Sequence, residues 1–369
     1  MKYYLDQNVF DAALDRIRWL FSEFEHISVN ISGGKDSTVV LNLSLKVAEE
    51  LGRLPLEVMF IDQEAEWQMV IDHIRQVFAD PRVAPRWYQM PIRIFNATST
   101  REPWLYCWEP GKKWVREKEP GAITENVYGT DRFTNLFGAI LRYDHPHEPA
   151  CDIGGVRTEE SPVRRLGLTT YETYKGATWG KVNTKGLAHY SFYPIYDWSY
   201  KDVWKAIHDN DWPYCPLYDL MYQYGVPIQN MRVSNIHHET AVNDLFYLQE
   251  VEGETWDRIV ARISGISSAG QLQEQFFGSG ELPFMFKDWR EYRDHLCDNL
   301  ITDLERRAYF HRRFAQTEAL FDKSVHPALI KTHIAMILVN DYHGTKMESF
   351  RAGHAKDHVN RGKISGRRT

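Results

Sequence analysis

A chain of 369 residues and 43.3 kDa has room for two domains at roughly 150 residues each. Its 43% hydrophobic and 25% charged residues exclude a disordered, collagenous or disulfide-scaffold protein. The 44 Lys and Arg against 50 Asp and Glu, a net charge of −6, argue against a protein that coats nucleic acid over its whole surface, but not against a local basic patch. Four cysteines (Cys107, Cys151, Cys215, Cys297) without a CxxC pair fit a reducing compartment. With acids at Asp6, Asp11 and Asp15 and no run of about 18 apolar residues, the sequence is expected to be soluble and cytoplasmic, with no membrane partner.

Apolar residues at helical spacing over 9–24 predict an amphipathic helix. Ile27–Ile31 predicts a strand that runs into Ser32-Gly33-Gly34-Lys35-Asp36-Ser37 and then a helix from Thr38 to Glu50. Leu56–Ile61 is the next strand, Ala65–Ala79 a helix and Trp87–Ile94 a third strand. This alternation implies an α/β fold with a doubly wound, mainly parallel sheet. Regularity fades over 96–150, a long insertion, and returns at Asp152–Val156 and Phe192–Tyr196. Beyond Val233 only helices are predicted, over 241–251, 256–263, 289–296, 303–321 and 327–340. The expected organisation is a nucleotide-binding domain over 1–232, a helical C-terminal domain over 233–343 and a basic tail over 344–369.

The Ser32–Ser37 loop carries the chemistry. Two glycines, a lysine and two serines between a buried strand and a helix N-terminus place backbone N–H groups, a dipole end and a cation around a phosphate-sized space. Gly33 and Gly34 let the backbone approach the ligand, Ser32 and Ser37 donate hydrogen bonds, and Lys35 neutralises a leaving pyrophosphate. Asp36 either holds Mg²⁺ or caps the helix. A glycine turn with an N-cap is the plainer reading of a bare Gly-Gly, and the spacing is not that of the Walker loop.

SGGKDS resembles the PP-loop of the adenine nucleotide alpha-hydrolase-like superfamily. Phe60-Ile-Asp-Gln-Glu64, Gly155-Val-Arg-Thr-Glu-Glu-Ser161, and Tyr193-Pro-Ile-Tyr-Asp-Trp198 with Asp202-Val-Trp204 resemble three further motifs of the phosphoadenosine phosphosulfate (PAPS) reductase family, over roughly residues 25–232. The resemblance implies an ATP- or PAPS-binding protein that works with Mg²⁺. In it Lys35, Asp36 and Arg157 carry the catalysis, and Asp62, Gly155, Glu160 and Ser161 join the loop around the nucleotide. Asp62 and Glu64 at a strand end would overhang the crevice where open α/β sheets bind ligands. Arg157 offers a planar fork for phosphate, while Glu160 and Ser161 serve equally well as helix caps. Arg164 and Arg165 add positive charge or form a solvated face.

The C-terminal ECGxH segment of the reductases proper is absent, which removes the thiolate that would take the sulfur. The expected function is therefore adenylyl transfer, cleavage of ATP between the α and β phosphates onto an unidentified acceptor. The alternatives are a PAPS-binding sulfur-transfer enzyme, or a nucleotide-sensing regulatory subunit associated with nucleic acid. The C-terminal part resembles the immunoglobulin-binding regulator A type, which implies a ParB-like partner. The tail over 344–369, net +5, either meets phosphate backbones or frays in solvent.

His145, His147 and Cys151, with Cys107 or His189, offer a candidate zinc site, although two loop histidines and a cysteine are more often ordinary surface residues. An iron–sulfur cluster built from the four cysteines is not expected. Cys215, in Pro213-Tyr-Cys-Pro-Leu-Tyr-Asp219, where the family commonly has asparagine, is a crevice thiol or a small buried apolar residue.

Overall fold

The computed structural model describes residues 6–96, 102, 104–160, 162–170, 172–184, 186–233, 235–236, 245–263, 265–266, 281–338, 341 and 344–354. Ser161, residues 241–244 of the first predicted C-terminal helix and the tail beyond 354 lie outside these. The chain divides into two compact units: residues 1–94, 106–235 and 251–258 form the first, and 95–105, 236–250 and 259–369 the second.

The first unit is built on a six-stranded sheet. Helix α1 (Val9–Glu23) starts where the Asn8 side chain accepts from the Asp11 amide, and buries Ala13, Leu14, Ile17, Leu20 and Phe21, one face at the three-to-four spacing. The elements that follow are β1 (His26–Asn30), α2 (Lys35–Glu50), β2 (Leu56–Ile61), α3 (Gln68–Phe78) and β3 (Val83–Tyr88). Strands β1, β2 and β3 pair in parallel. Trp67, ahead of α3, gives no side-chain cap; the Glu252 carboxylate accepts from the Gln68 and Met69 amides instead (2.7 and 2.9 Å).

The predicted strand over 87–94 is two, β3 and β4 (Ile92–Phe95), because the chain leaves the sheet at Gln89-Met90-Pro91. The described part of the 96–150 stretch is more ordered than its composition implies: it holds β5 (Trp104–Cys107) and α4 (Phe133–Asp144), whose Leu136, Ala139, Ile140 and Leu141 are buried.

Strand β6 (Ala150–Ile153) is buried along its length, as expected for a strand covered on both faces. It pairs in parallel with β1 and with β8 (His189–Phe192). Between them in sequence come α5 (Pro162–Thr169) and β7 (Gly180–Thr184), an antiparallel edge. The predicted strand over 192–196 begins earlier and stops at Phe192, since Pro194 has no N–H to give a ladder. Helices α6 (Tyr200–Asp209, with a Ser199/Asp202 capping box) and α7 (Leu217–Gln223) follow.

The strand order is β3-β2-β1-β6-β8-β7. It reverses direction between β1 and β6, which places a topological switch point directly above the Ser32–Ser37 loop.

Helices α8 (Leu245–Val251) and α9 (Gly253–Arg262) have residues in both units. The second unit is mainly helical: its helices α10 (Trp289–Leu300), α11 (Leu304–Leu320), α12 (His326–Leu338) and α13 (Thr345–Gly353) bury Leu296, Phe310, Phe314, Leu329, Ile334, Met336 and Met347 in one core. Among the described residues, no helix is long and apolar enough to cross a membrane.

Candidate functional site

The loop owes its shape to contacts that only glycine permits. Gly33 sits at φ +74, and a Cβ there would stand 2.6 Å from Val70 Cγ1. Gly155, on the strand-end loop after β6, lies so close to the start of α2 that a Cβ would come within 2.6 Å of the Asp36 carbonyl carbon. Inside the loop, Ser37 Oγ donates to the Gly34 carbonyl (2.9 Å) and accepts from the Ser32 amide (3.2 Å). The Lys35 amide, at the first turn of α2, donates to the Tyr218 hydroxyl (2.9 Å). That hydroxyl, from the Pro213–Asp219 motif, therefore takes one of the orphan N–H groups of the helix.

Charge is concentrated behind the loop. Lys35, 3% exposed, donates from Nζ to the Met231 carbonyl (3.0 Å) and pairs with Asp36 (3.3 Å). Asp36 also pairs with Arg157, which is itself buried and bonded to Glu159 (2.9 Å). Burial lowers the Lys35 ammonium pKa; the Asp36 carboxylate opposes that shift, while the charges of Arg157 and Arg232 add to it. A further anion would relieve this crowding of cations. Glu160 pairs with Arg164. The structure thus brings Ser32, Gly33, Gly34, Lys35, Asp36, Ser37, Gly155, Arg157 and Glu160 together.

The loop borders a cavity of about 460 Å³ at the carboxyl ends of the strands, well within the range of small-molecule sites. Ser32, Ser37 and Arg164 close one side, and Phe133, Phe137 and Tyr193 give it aromatic walls. Two polar clusters that sequence reasoning missed face into it. Asp152 on β6 accepts from Ser191 Oγ (2.7 Å) and from the Asn30 and Asn183 amides (2.5 and 3.2 Å), and burial raises its carboxyl pKa to about 6 against these bonds. Glu66 is 5% exposed, and burial together with the nearby Asp62 charge raises its carboxyl pKa to about 8. With its nitrogen turned toward that carboxyl, the Asn235 amide donates to it at 2.9 and 3.1 Å. The acidic run in Asp62–Glu66 was the available signal; which of its members would face the cavity was not.

Asp62 and Glu64 do not overhang the crevice. Asp62 is 0% exposed and accepts from Trp87 Nε1 (2.8 Å), Gln89 Nε2 (2.9 Å), the Glu64 amide (2.9 Å) and Arg116. Glu64, at φ 66, accepts from the Trp108 and Val115 amides (2.6 and 3.2 Å). Past the end of β2 the side chains alternate, so 62 and 64 turn one way and pin the 106–119 segment, while Gln63 turns into the cavity.

The candidate zinc trio of His145, His147 and Cys151 is not assembled. Cys151 lies inside β6 at 0% exposure, its thiol pKa raised well above the ordinary value by burial, and His147 is exposed. His145 groups instead with His26 and Glu148. His189 is committed to the His145 carbonyl (2.9 Å). All four cysteines are free and buried, and among the described residues no three of them lie close enough to share a single ion. Cys215 is 0% exposed and burial pushes its thiol pKa up to about 12, the small buried residue of the two alternatives.

Comparison with known proteins bears on this arrangement. A phosphoadenosine phosphosulfate reductase domain matches residues 109–224, and a domain of unknown function (DUF3440) matches residues 225–363. The chain is 30% identical over 303 residues to the uncharacterized protein YbdN of Escherichia coli (strain K12), covering 78% of this chain and 74% of that one. It is 24% identical over 221 residues to an adenosine 5'-phosphosulfate reductase of Lysinibacillus sphaericus, covering 58% of this chain and 77% of that one.

Among solved structures, a PAPS reductase from Candida auris aligns at 15% identity and TM-score 0.32, covering 60% of this chain and 94% of that one. A Candida glabrata FMN adenylyltransferase aligns at 14% and 0.35, covering 58% of this chain and 62% of that one, less than two thirds of its length. With its PAPS reductase domain, its DUF3440 region and its likeness to YbdN, the chain belongs to the PAPS reductase family.

Proposed function

We propose that the protein binds an adenine nucleotide at the switch point and transfers its adenylyl group, releasing pyrophosphate. The observation that carries this reading is the continuity between the cavity and the loop: Ser32 and Ser37 belong to both, so a nucleoside between Phe133, Phe137 and Tyr193 leads its phosphates over the N-terminus of α2. An acceptor nucleophile attacks the α-phosphorus, the bond to the β-phosphate oxygen breaks, and the acceptor's proton passes to solvent. Lys35 and Arg157 gather the charge that develops on the leaving pyrophosphate. For this, Lys35 exchanges the Met231 carbonyl for phosphate oxygen.

Asp36 does not fit a Mg²⁺ ligand in this arrangement, because its carboxylate is held by two cations. Mg²⁺ enters the reading as the counter-ion that the nucleotide's own phosphates bring. Sulfur transfer from PAPS fits less well: a transferring thiolate has to be ionised and accessible, whereas Cys151 and Cys215 are buried with raised pKa values.

Incubation with ATP, Mg²⁺ and a panel of acceptors, with pyrophosphate and AMP-containing products measured, tests the reading. Pyrophosphate is the expected product. ADP with orthophosphate would refute α-phosphate attack, and turnover of PAPS in place of ATP would move the protein to the sulfur-transfer reading.

A further inference from the structure

At the amino end of the same strands lies a second group of ligand atoms. His26 opens β1 and pairs in register with Ala150 of β6. His145 is the residue after α4, its amide bonded to the Leu141 carbonyl (2.9 Å) and its carbonyl to His189 Nε2 (2.9 Å). Glu148 stands on the short segment that leads from His145 into β6.

One oxygen of Glu148 lies 3.3 Å from His26 Nε2 and 3.7 Å from His145 Nδ1. All three ligand atoms fall within 4.8 Å of one another. A tetrahedral zinc ion with bonds of about 2.0–2.1 Å spaces its ligands about 3.3–3.4 Å apart, which matches the 3.3 Å separation from His26, while the 3.7 Å separation from His145 has to close slightly around the ion. His26 and His145 also line a cavity of about 220 Å³ with Glu25, Glu57 and Arg53.

From this juxtaposition we infer that His26, His145 and Glu148 form a binding site for a divalent ion of the zinc class, with its fourth position open to that cavity. Two imidazoles and one carboxylate are a donor set zinc accepts while keeping a coordination position for water or a small ligand. The backbone of each histidine is fixed, one in a sheet ladder and one at a helix end, so the ion has only side-chain rotations to order. The rings stack at 4.0 Å between centroids; binding requires them to splay until both lone pairs converge on the ion. The site is separate from the switch-point cavity: β1 runs from His26 to Asn30, about 13 Å of strand at 3.3 Å per residue.

The test uses the full chain, stripped with chelator and titrated with Zn²⁺ by calorimetry and with Co²⁺ by visible absorption. One equivalent of Zn²⁺ is expected, with the strong visible bands of four-coordinate cobalt. Affinity should fall at least about tenfold in His26→Ala and His145→Ala, also fall in the surface variant Glu148→Gln, and stay unchanged in His147→Ala. Circular dichroism establishes that each variant is folded. Undiminished binding in the folded His26→Ala/His145→Ala double variant, or no stoichiometric binding by the wild type, would overturn the assignment. Binding that survives in that double variant but is lost in His311→Ala would place the ion at Cys297, Asp298 and His311 instead.

Discussion

Glu66 in the sheet unit and His333 in the helical unit are both buried titratable groups held neutral, and their surroundings differ in one respect. Glu66 faces a cavity. His333 is 0% exposed and sealed in the core: its ring stacks on Phe314 at 4.3 Å, Nε2 meets Thr317 Oγ1 at 2.8 Å, and Arg293 approaches Nδ1 at 3.5 Å. Burial, aided by the Arg293 charge, lowers its pKa to about 3. The same desolvation acts on both groups. An altered pKa alone therefore does not mark a site; what separates the two is whether the group has empty space in front of it.

The largest expected effects break the sheet unit's side of this comparison at the loop. Lys35→Ala should lower pyrophosphate release by about 100- to 1,000-fold, the scale of removing one donor to a developing anion. Gly155→Ala should lower nucleotide affinity by at least about tenfold without touching a charged group, because the new methyl meets the backbone of Asp36. Equilibrium binding of a non-hydrolysable ATP analogue checks the second variant. Unchanged affinity would mean that the strand-end loop is not pressed against α2 when nucleotide binds.

Opposite pH slopes sharpen the comparison next. His333 has a folded pKa below its ordinary value of 6.5, so the unfolded chain takes up its proton first, and the stability it contributes is lost as pH falls from about 6.5 toward 3. Glu66 has a folded pKa above its ordinary 4.5, so its contribution is present below about 4.5 and is lost as pH rises toward about 8. Each slope approaches about 1.4 kcal/mol per pH unit in its own window. Urea unfolding across pH should show His333→Gln flattening the acid limb and Glu66→Gln the alkaline limb. A variant that flattens neither limb contradicts the pKa assigned to its residue.

The parts of the fold and site legible in the sequence were those written in contiguous residues. The SGGKDS loop and the strand and helix that flank it are local, and the hydrophobic period gave α1, α2 and β2 within a few residues. Helix α4 was hidden because Trp, Pro, Gly and charge crowd the segment before it. Strand β7 was hidden because a polar edge strand, Gly180-Lys-Val-Asn-Thr184, lacks an apolar alternation. The cavity's polar clusters join Asn30 with Asp152, and Glu66 with Asn235. His145, just after α4, was visible as a candidate ligand, but its neighbour His26 lies at the start of β1, and only the β1–β6 register brings the two close. Such pairings depend on the completed sheet and leave no pattern in a linear sequence.

The smallest expected effect concerns Cys215 and carries the logic of the comparison furthest. Cys215 belongs to the motif that positions Tyr218 over the loop, so its place invites a catalytic reading. Its surroundings do not support one: the side chain is 0% exposed, and burial lifts the thiol pKa to about 12, which leaves a negligible thiolate fraction at neutral pH. Cys215→Ser changes little in volume and places a hydroxyl where a weakly polar thiol sat, so a loss of about 1–3 kcal/mol in stability is expected. Pyrophosphate release, measured where the variant remains folded, should stay within about twofold of wild type. A fall of about 100-fold with unchanged folding would make this buried thiol a participant, and burial without a facing cavity would then no longer separate structural groups from functional ones.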